Sequence, residues 1–162
     1  LAYTPRNIMT QAFALLNAPY GWGGMYGEQD CSRFIQEIFA TVGIHFPRNS
    51  TQQAKVGRMA ALFDENMPAP KRSQTLLQEA RGGISVLQMN GHVLLYLGFF
   101  EGSPYVIHDM WGYLEPSSKG ERLRVTNRVV VTDLTPGIGT SSGSLLERLN
   151  VVRVVEGNIV HP

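Results

Sequence analysis

Pro19-Tyr20-Gly21-Trp22-Gly23-Gly24-Met25-Tyr26-Gly27-Glu28-Gln29-Asp30-Cys31-Ser32-Arg33-Phe34 is the stretch whose reading decides the fold. Glycines and aromatics lead to the single cysteine of the chain, and a helical pattern starts there. Phe34, Ile35, Ile38, Phe39 and Val42 recur at helical spacing. Cys31 is therefore expected in the first turn of a helix, with Asp30 as its N-cap. The partial positive charge of a helix N-terminus favours a thiolate, lowering a thiol pKa near 8.5 by about one to several units. A lone cysteine otherwise reads as a small buried hydrophobe. A nucleophile needs a base, so the histidines decide between the two.

The 162 residues suit a single domain with a full core, here residues 1–162, and 43% hydrophobic content makes the chain globular. A net charge of +1 argues against a dedicated nucleic-acid surface. No apolar run approaches the roughly 20 residues of a membrane helix. One cysteine excludes an internal disulfide. No signal peptide is visible and the chain starts at Leu1, so a longer or processed natural protein is expected.

Working outward, Thr4-Pro5 is a helix start and Asn17-Ala18-Pro19 its end. Gly43 closes the Cys31 helix. Residues 44–50 form an extended link, and Ser50 is expected to cap a helix over residues 51–56. Residues 58–83 read as a surface insertion, with residues 59–63 helical, 67–70 a loop and 73–80 a short helix. The period then changes. Residues 84–88 read as a strand, and 92–99 is an apolar run suited to a strand buried on both faces. Residues 105–109, 128–133 and 150–155 are further strands; 111–120 and 135–144 read as loops, with one helical turn at 145–149. Helices first and strands after give an α+β fold with an antiparallel sheet.

Two of the four histidines fall on the expected hairpin. If His92 and His108 are directly opposed, the loop is Phe99-Phe100-Glu101 and their Cβ atoms lie roughly 4.5–5.5 Å apart. A turn centred on Glu101-Gly102 displaces the register by three residues, and only a bulge or a longer loop then restores contact. Singly, each reads as a satisfied core histidine. Together with Cys31 they suggest a nucleophile, a base (His92) and an orienting residue (His108). The Cys31 backbone N–H is a natural oxyanion donor, with Tyr20 a second candidate. A zinc site from Cys31, His92, His108 and Asp30 lacks a close-spaced ligand pair. Neither metal nor cofactor is expected.

The residues Pro19-Tyr20-Gly21-Trp22-Gly23-Gly24, Asp30-Cys31-Ser32, Gly43-Ile44-His45-Phe46-Pro47-Arg48-Asn49-Ser50-Thr51-Gln52-Gln53 and Gly91-His92-Val93-Leu94-Leu95-Tyr96-Leu97-Gly98 resemble the NlpC-type cell-wall cysteine peptidases, over roughly residues 5–110. The resemblance implies a papain-like fold and hydrolysis of peptidoglycan stem peptides between γ-D-glutamate and a diamino acid, meso-diaminopimelate or lysine. It implies Cys31 as nucleophile, His92 as base and His108 as third member. Asp30 and Ser32 match positions that hold the amine of an N-terminal L-alanine, and Tyr20 and Ser50 match others lining that pocket. A carboxylate is a sensible ammonium anchor; plain N-capping is the other reading of Asp30, and helix capping that of Ser50. Trp22 and Tyr26 line the cleft or pack beneath the loop.

The chain departs from the family pattern at Arg33, where glycine is usual, and at Arg81-Gly82-Gly83-Ile84-Ser85, where Pro-Gly-Asp is usual. Residues 58–80 and 112–127 are longer than expected. Relatives often carry Src-homology-three-like or wall-binding domains ahead of the catalytic one. The expected location is the cell envelope, periplasmic or secreted, with a cytoplasmic recycling role as the other option. An amidase cutting the muramoyl–alanine bond, an acyltransferase on the same frame and a non-catalytic wall-binding domain are the alternatives.

Overall fold

A computed structural model describes residues 1–21 and 29–157. Among these, α1 (Pro5–Ala14), α2 (Cys31–Ala40) and α3 (Ser50–Gln53) come first. They are followed by β1 (Arg58–Leu62), α4 (Ala69–Glu79), β2 (Ile84–Met89), β3 (His92–Phe100), β4 (Ser103–Ser117), β5 (Gly120–Asp133), α5 (Leu145–Arg148) and β6 (Leu149–Val155). The strands form one antiparallel sheet in the order β1-β6-β2-β3-β4-β5. The α+β expectation holds. Trp22 and Tyr26 lie outside the described residues.

The helix α2 is the ridge on which one half of the core is built. Phe34, Ile35, Ile38 and Phe39 are essentially fully buried, and they pack with Ile8 and Ala12 of α1 and with Val86, Val93, Leu95 and Ile107 of the sheet. Each such side chain removed from water contributes about 1.5–3 kcal/mol. The helix ends as its sequence indicates. Gly43 takes φ +78°, its N–H donates to the Ala40 carbonyl, and the Ile44 N–H donates to that of Phe39. A second cluster on the sheet includes Leu76 of α4 and Leu87, Met89, Leu94, Val106 and Met110. Val93, Leu94 and Leu95 are wholly buried, as the unbroken apolar run predicts.

Several local expectations are overturned. Residues 59–63 are not helical. Arg-Met-Ala-Ala-Leu has helical propensity, but as β1 it pairs with β6, and the sheet edge overrides the local preference. Gly57 lets the chain enter there, since a Cβ would lie 2.5 Å from the Val154 carbonyl oxygen. Nor are residues 58–83 a mere surface insertion, because α4 buries Leu76 and Arg72. That helix starts at Ala69, with Pro70 in its first turn, where a missing N–H costs nothing. The expected loop at 111–120 is strand. β4 and β5 continue to a turn at Ser118-Lys119, and Gly112 passes so close to β5 that a Cβ would lie 2.6 Å from the Arg124 carbonyl oxygen. Asn49, not Ser50, caps α3, its Oδ1 accepting the Thr51 N–H at 2.8 Å, and the helix ends at Gln53.

One irregularity sets up the site. The β3–β4 turn is centred on Glu101-Gly102, with Phe100 opposite Ser103 and Gly98 opposite Tyr105. Carried on without interruption, that register would set His108 opposite Leu95 and put His92 on the other face. A bulge between Tyr96 and Gly98 shifts the pairing by one, to Tyr96–Val106 and Leu95–Ile107. Because side chains alternate, a one-residue shift exchanges faces. His108 then comes opposite Leu94, and His92, two residues along, becomes its diagonal neighbour on the same face. Direct opposition, the simpler expectation, is not what forms; the bulged hairpin is.

Candidate active site

The site is assembled from the start of α2, the start of β3, the middle of β4 and β5, and the segment before the glycine-rich stretch. Residues 17–20 run along the outer side of β5. The Asn17 N–H donates to the Val129 carbonyl, the Val129 N–H to that of Ala18, and the Tyr20 N–H to that of Asn127. This covers the open edge of β5 and carries Tyr20 to 6.5 Å from Trp111, ring centre to ring centre.

Asp30 caps α2 as expected, Oδ1 accepting the Arg33 N–H at 2.9 Å. It does more. Arg48 grips it with both ends of its guanidinium, Nη1 to Oδ1 at 3.0 Å and Nη2 to Oδ2 at 2.6 Å. The Ser32 hydroxyl donates to Oδ1 at 3.0 Å and accepts from Arg48 Nη1 at 2.6 Å. Burial pushes the Asp30 carboxyl up, but Arg48, the Arg33 N–H and Ser32 together outweigh it and hold it below the ordinary carboxylate range. The fully buried Gln53 joins the first turn of α2 to this link, donating to the carbonyls of Ser32 at 2.8 Å and Pro47 at 2.7 Å. Arg33 contributes only its backbone here. Its side chain turns outward to Glu37 at 2.6 Å, away from the Asp30–Arg48 pair. Ser50 is half-buried at the first residue of α3.

Cys31 is the first residue of α2 and 6% exposed. Its Sγ lies 4.0 Å from the Gly91 carbonyl oxygen and takes the Val93 N–H, so the sulfur sits against the backbone on both sides of His92. Burial pushes the thiol up to about 11; the Val93 N–H pulls it back, while the charge of Asp30 pushes it further. The expectation of a resting thiolate is thus not met. Enclosure of the sulfur, with acidic neighbours, outweighs the helix terminus. Burial, and then Asp30 and Asp109 together with Cys31, also raise the Tyr20 phenol, which stays an O–H donor.

His92 Nε2 and His108 Nδ1 are 2.8 Å apart, and His108 Nε2 lies 3.0 Å from the Thr132 hydroxyl. Burial lowers both imidazoles, His92 to about 4, with the Arg148 charge adding to its shift. Both rings are therefore neutral at pH 7. Two tautomer arrangements fill this chain of contacts. In one, His92 donates from Nε2 to His108, which donates to Thr132, and His92 Nδ1 is left bare as a proton acceptor. The reverse order leaves Nδ1 protonated and unable to accept.

Three residues of the site escaped the reading of the sequence: Arg48, Thr132 and Asp109, the last fully buried on the face of β4 opposite to His108, where its charge reaches Tyr20 and Cys31. In the sequence Arg48 is only a charge in the extended link between Pro47 and Asn49. Thr132 lay in a β-branched run whose register no local signal fixes. Among the described residues no group of three or more His, Cys, Asp or Glu side chains is placed to hold a metal, and Asp30 is committed to Arg48.

Comparisons with known proteins bear on this arrangement. The model of the NlpC/P60 family matches residues 17–119. The chain is 39% identical over 92 residues to the γ-D-glutamyl-L-lysine dipeptidyl-peptidase of Bacillus subtilis (strain 168), which covers 56% of this chain and 28% of that protein. An NlpC/P60 endopeptidase from Photobacterium damselae subsp. piscicida superposes with a TM-score of 0.75 at 22% identity, over 92% of this chain and 38% of that one. An NlpC/P60 family protein from Bacillus cereus ATCC 10987 gives 0.58 at 20% identity, over 94% and 40%. The two structures speak for the fold, and the chain spans well under half the length of each of these relatives.

Proposed function

The chain belongs to the NlpC/P60 family, and from that premise we propose that it is a cysteine peptidase cutting the stem peptides of peptidoglycan at the γ-D-glutamyl–diamino acid bond. The observation that carries this reading is the His92–His108–Thr132 chain at 2.8 and 3.0 Å next to Cys31, whose sulfur meets the backbone on either side of His92. Among the described residues no hydrogen bond joins that sulfur to the His92 ring, and on this reading the contact forms when substrate is bound. The reading treats residues 1–162 as one catalytic domain, acting in the cell envelope on wall fragments.

In this mechanism thiol and imidazole begin neutral, and the bound substrate completes the site. Cys31 Sγ bonds to the scissile carbonyl carbon while its proton passes to His92 Nδ1. His92 keeps its Nε2–H on His108, whose neutral ring supports the imidazolium that forms. The carbonyl oxygen gains charge against the Cys31 N–H, which has no intrahelical partner at the first helical position, and against the Tyr20 hydroxyl. As the C–N bond breaks, the amine takes the His92 proton and leaves a thioester. Water then loses a proton to His92 and attacks the same carbon, and the proton returns to sulfur as the acid departs. Such proton transfer is typically worth about 10²–10⁴ in rate. Asp30, Ser32, Tyr20 and Ser50 line the pocket for the residues ahead of the scissile bond.

The test is digestion of a defined muropeptide followed by mass spectrometry. The wild-type domain should release the free diamino-acid amine, and Cys31→Ala should not, with its circular dichroism unchanged. Products cut at the muramoyl–alanine bond would make it an amidase instead. Equal turnover by the two proteins would remove Cys31 from the reaction.

A further inference from the structure

The hydrogen-bond chain of the two histidines does not end inside the protein. Thr132, its last member, is half-buried and lines a cavity of about 320 Å³ along the outer side of β5. That is roughly ten times the volume a water molecule takes in the liquid. Asn17, Tyr113, Arg124, Thr126 and Arg128 share the lining. The fully buried His108 is thus joined to this cavity by one hydroxyl, 3.0 Å from its Nε2.

The lining carries charge of one sign. Arg124 and Arg128 are both exposed, and among the described residues no Asp or Glu borders the cavity. Among those residues the Arg124 side chain forms no hydrogen bond or ion pair, and Arg128 uses only its Nε, on the Thr126 carbonyl at 3.3 Å. The Thr126 hydroxyl donates to the Met110 sulfur at 3.6 Å. Two guanidiniums, with the Asn17 amide and the Tyr113 phenol as further donors, suit an anion with several acceptor oxygens, a phosphate or sulfate group.

What occupies this cavity bears on the direction of the chain. In the arrangement that leaves His92 Nδ1 bare, His108 donates from Nε2 and Thr132 accepts, so the Thr132 proton goes to an acceptor in the cavity. In the reverse arrangement Thr132 gives that proton to His108 instead. Water donates or accepts, and so permits both. Sulfate only accepts, as do most oxygens of phosphate, and either permits the first alone. We propose that the cavity is an anion site, holding a phosphate or sulfate group on Arg124 and Arg128, and that its occupation sets the His92–His108–Thr132 chain in the direction that leaves His92 able to take a proton. The site stands on the cavity itself; its effect on turnover rests on the function proposed above.

The experiment titrates sulfate, then phosphate, into the Cys31→Ala protein at pH 8 and constant ionic strength, followed by NMR. Both should saturate, with shifts at Thr132 and along β5, and Arg124→Gln and Arg128→Gln should each weaken binding by about tenfold, the loss of one charge-assisted contact. Shifts that never saturate, or binding that both variants leave unchanged, would overturn the site. With the anion bound, the nitrogen signals of His108 should show Nε2 protonated; a bound state with Nε2 bare overturns the coupling. On a muropeptide either anion should raise the wild-type kcat by about two- to tenfold, as when the competent arrangement starts between half and a tenth populated. Arg128→Gln should keep the basal rate and lose the rise. Thr132→Ser should keep the rise, and Thr132→Val should lose it while still binding the anion. A rate that does not move on saturable binding, or a rise that survives Arg128→Gln, overturns the coupling. Failure of wild-type protein to cleave the muropeptide with or without anion would count against the proposed reaction, while the titration would still decide the site.

Discussion

Replacing Gly98 by alanine tests whether the bulge in β3 is what turns His92 toward His108. Gly98 holds φ +123°, a region L-residues rarely enter, and no atom lies within 4 Å of where a Cβ would stand. Clash contributes nothing, so the cost is backbone strain, about 1–3 kcal/mol. The strain has one escape, which is to iron out the bulge and return β3 to the register of its turn. That would exchange the faces of Val93, Leu94 and Leu95, all wholly buried, and repacking each costs about 1–3 kcal/mol. Three such terms exceed one strained residue, so the bulge should survive. For a chain of 162 residues the expected loss corresponds to a fall in Tm of about 3–9 °C. Turnover per folded molecule should stay within about twofold at 25 °C, since the His92–His108 contact persists. Thermal melts and steady-state kinetics on one preparation decide the matter. Unchanged Tm with turnover lost a hundredfold or more would mean the register slips cheaply and the reasoning fails.

Other outcomes follow from the electrostatics. Because burial holds the Cys31 thiol at about 11, alkylation by iodoacetamide in the ligand-free protein should be slow at pH 7 and rise about tenfold per pH unit up to that value; a rate already level by pH 8 would contradict it. Burial lowers the His92 pKa to about 4 from an ordinary 6.5, so the unfolded chain binds the extra proton first. Its contribution to stability is full above about pH 6.5 and falls as pH drops toward 4, by about 2 kcal/mol at pH 5. Urea titrations at pH 8 and 5 should show the loss, and a flat profile would argue against neutral buried imidazoles. The Arg48 guanidinium already offsets the charge of Asp30. Acetylating the N-terminal alanine should therefore change kcat/KM by less than about tenfold, and a larger drop would show that Asp30 still acts as the anchor.

The parts that were legible in the sequence are those a few neighbouring residues determine. Thr4-Pro5, the stripe from Phe34 to Phe39, Asp30 ahead of Cys31, Gly43 and the apolar run of β3 each act within one turn or one strand, and each forms as read. What escaped depends on partners far along the chain. Residues 58–62 become strand because β6 offers an edge, and residues 111–127 because β4 and β5 extend one another. The register of the histidine hairpin depends on a bulge that Gly98 permits but does not announce. The hold of Arg48 on Asp30 joins residues 18 positions apart, and no periodicity reports it. The neutral resting state of the cysteine reflects how deeply the fold encloses it, which no stretch of sequence displays.

The helix that carries the sulfur is also the member around which one side of the interior is packed, with Phe34, Ile35, Ile38 and Phe39 all inside. In the proposed reaction that sulfur therefore has little freedom of its own, and the incoming peptide must do the moving. Screens scored on hydrolysis alone will confuse two kinds of damage along this helix: variants that blunt the chemistry and variants that merely thin the population of intact molecules. Normalising each rate to the amount of folded protein separates them.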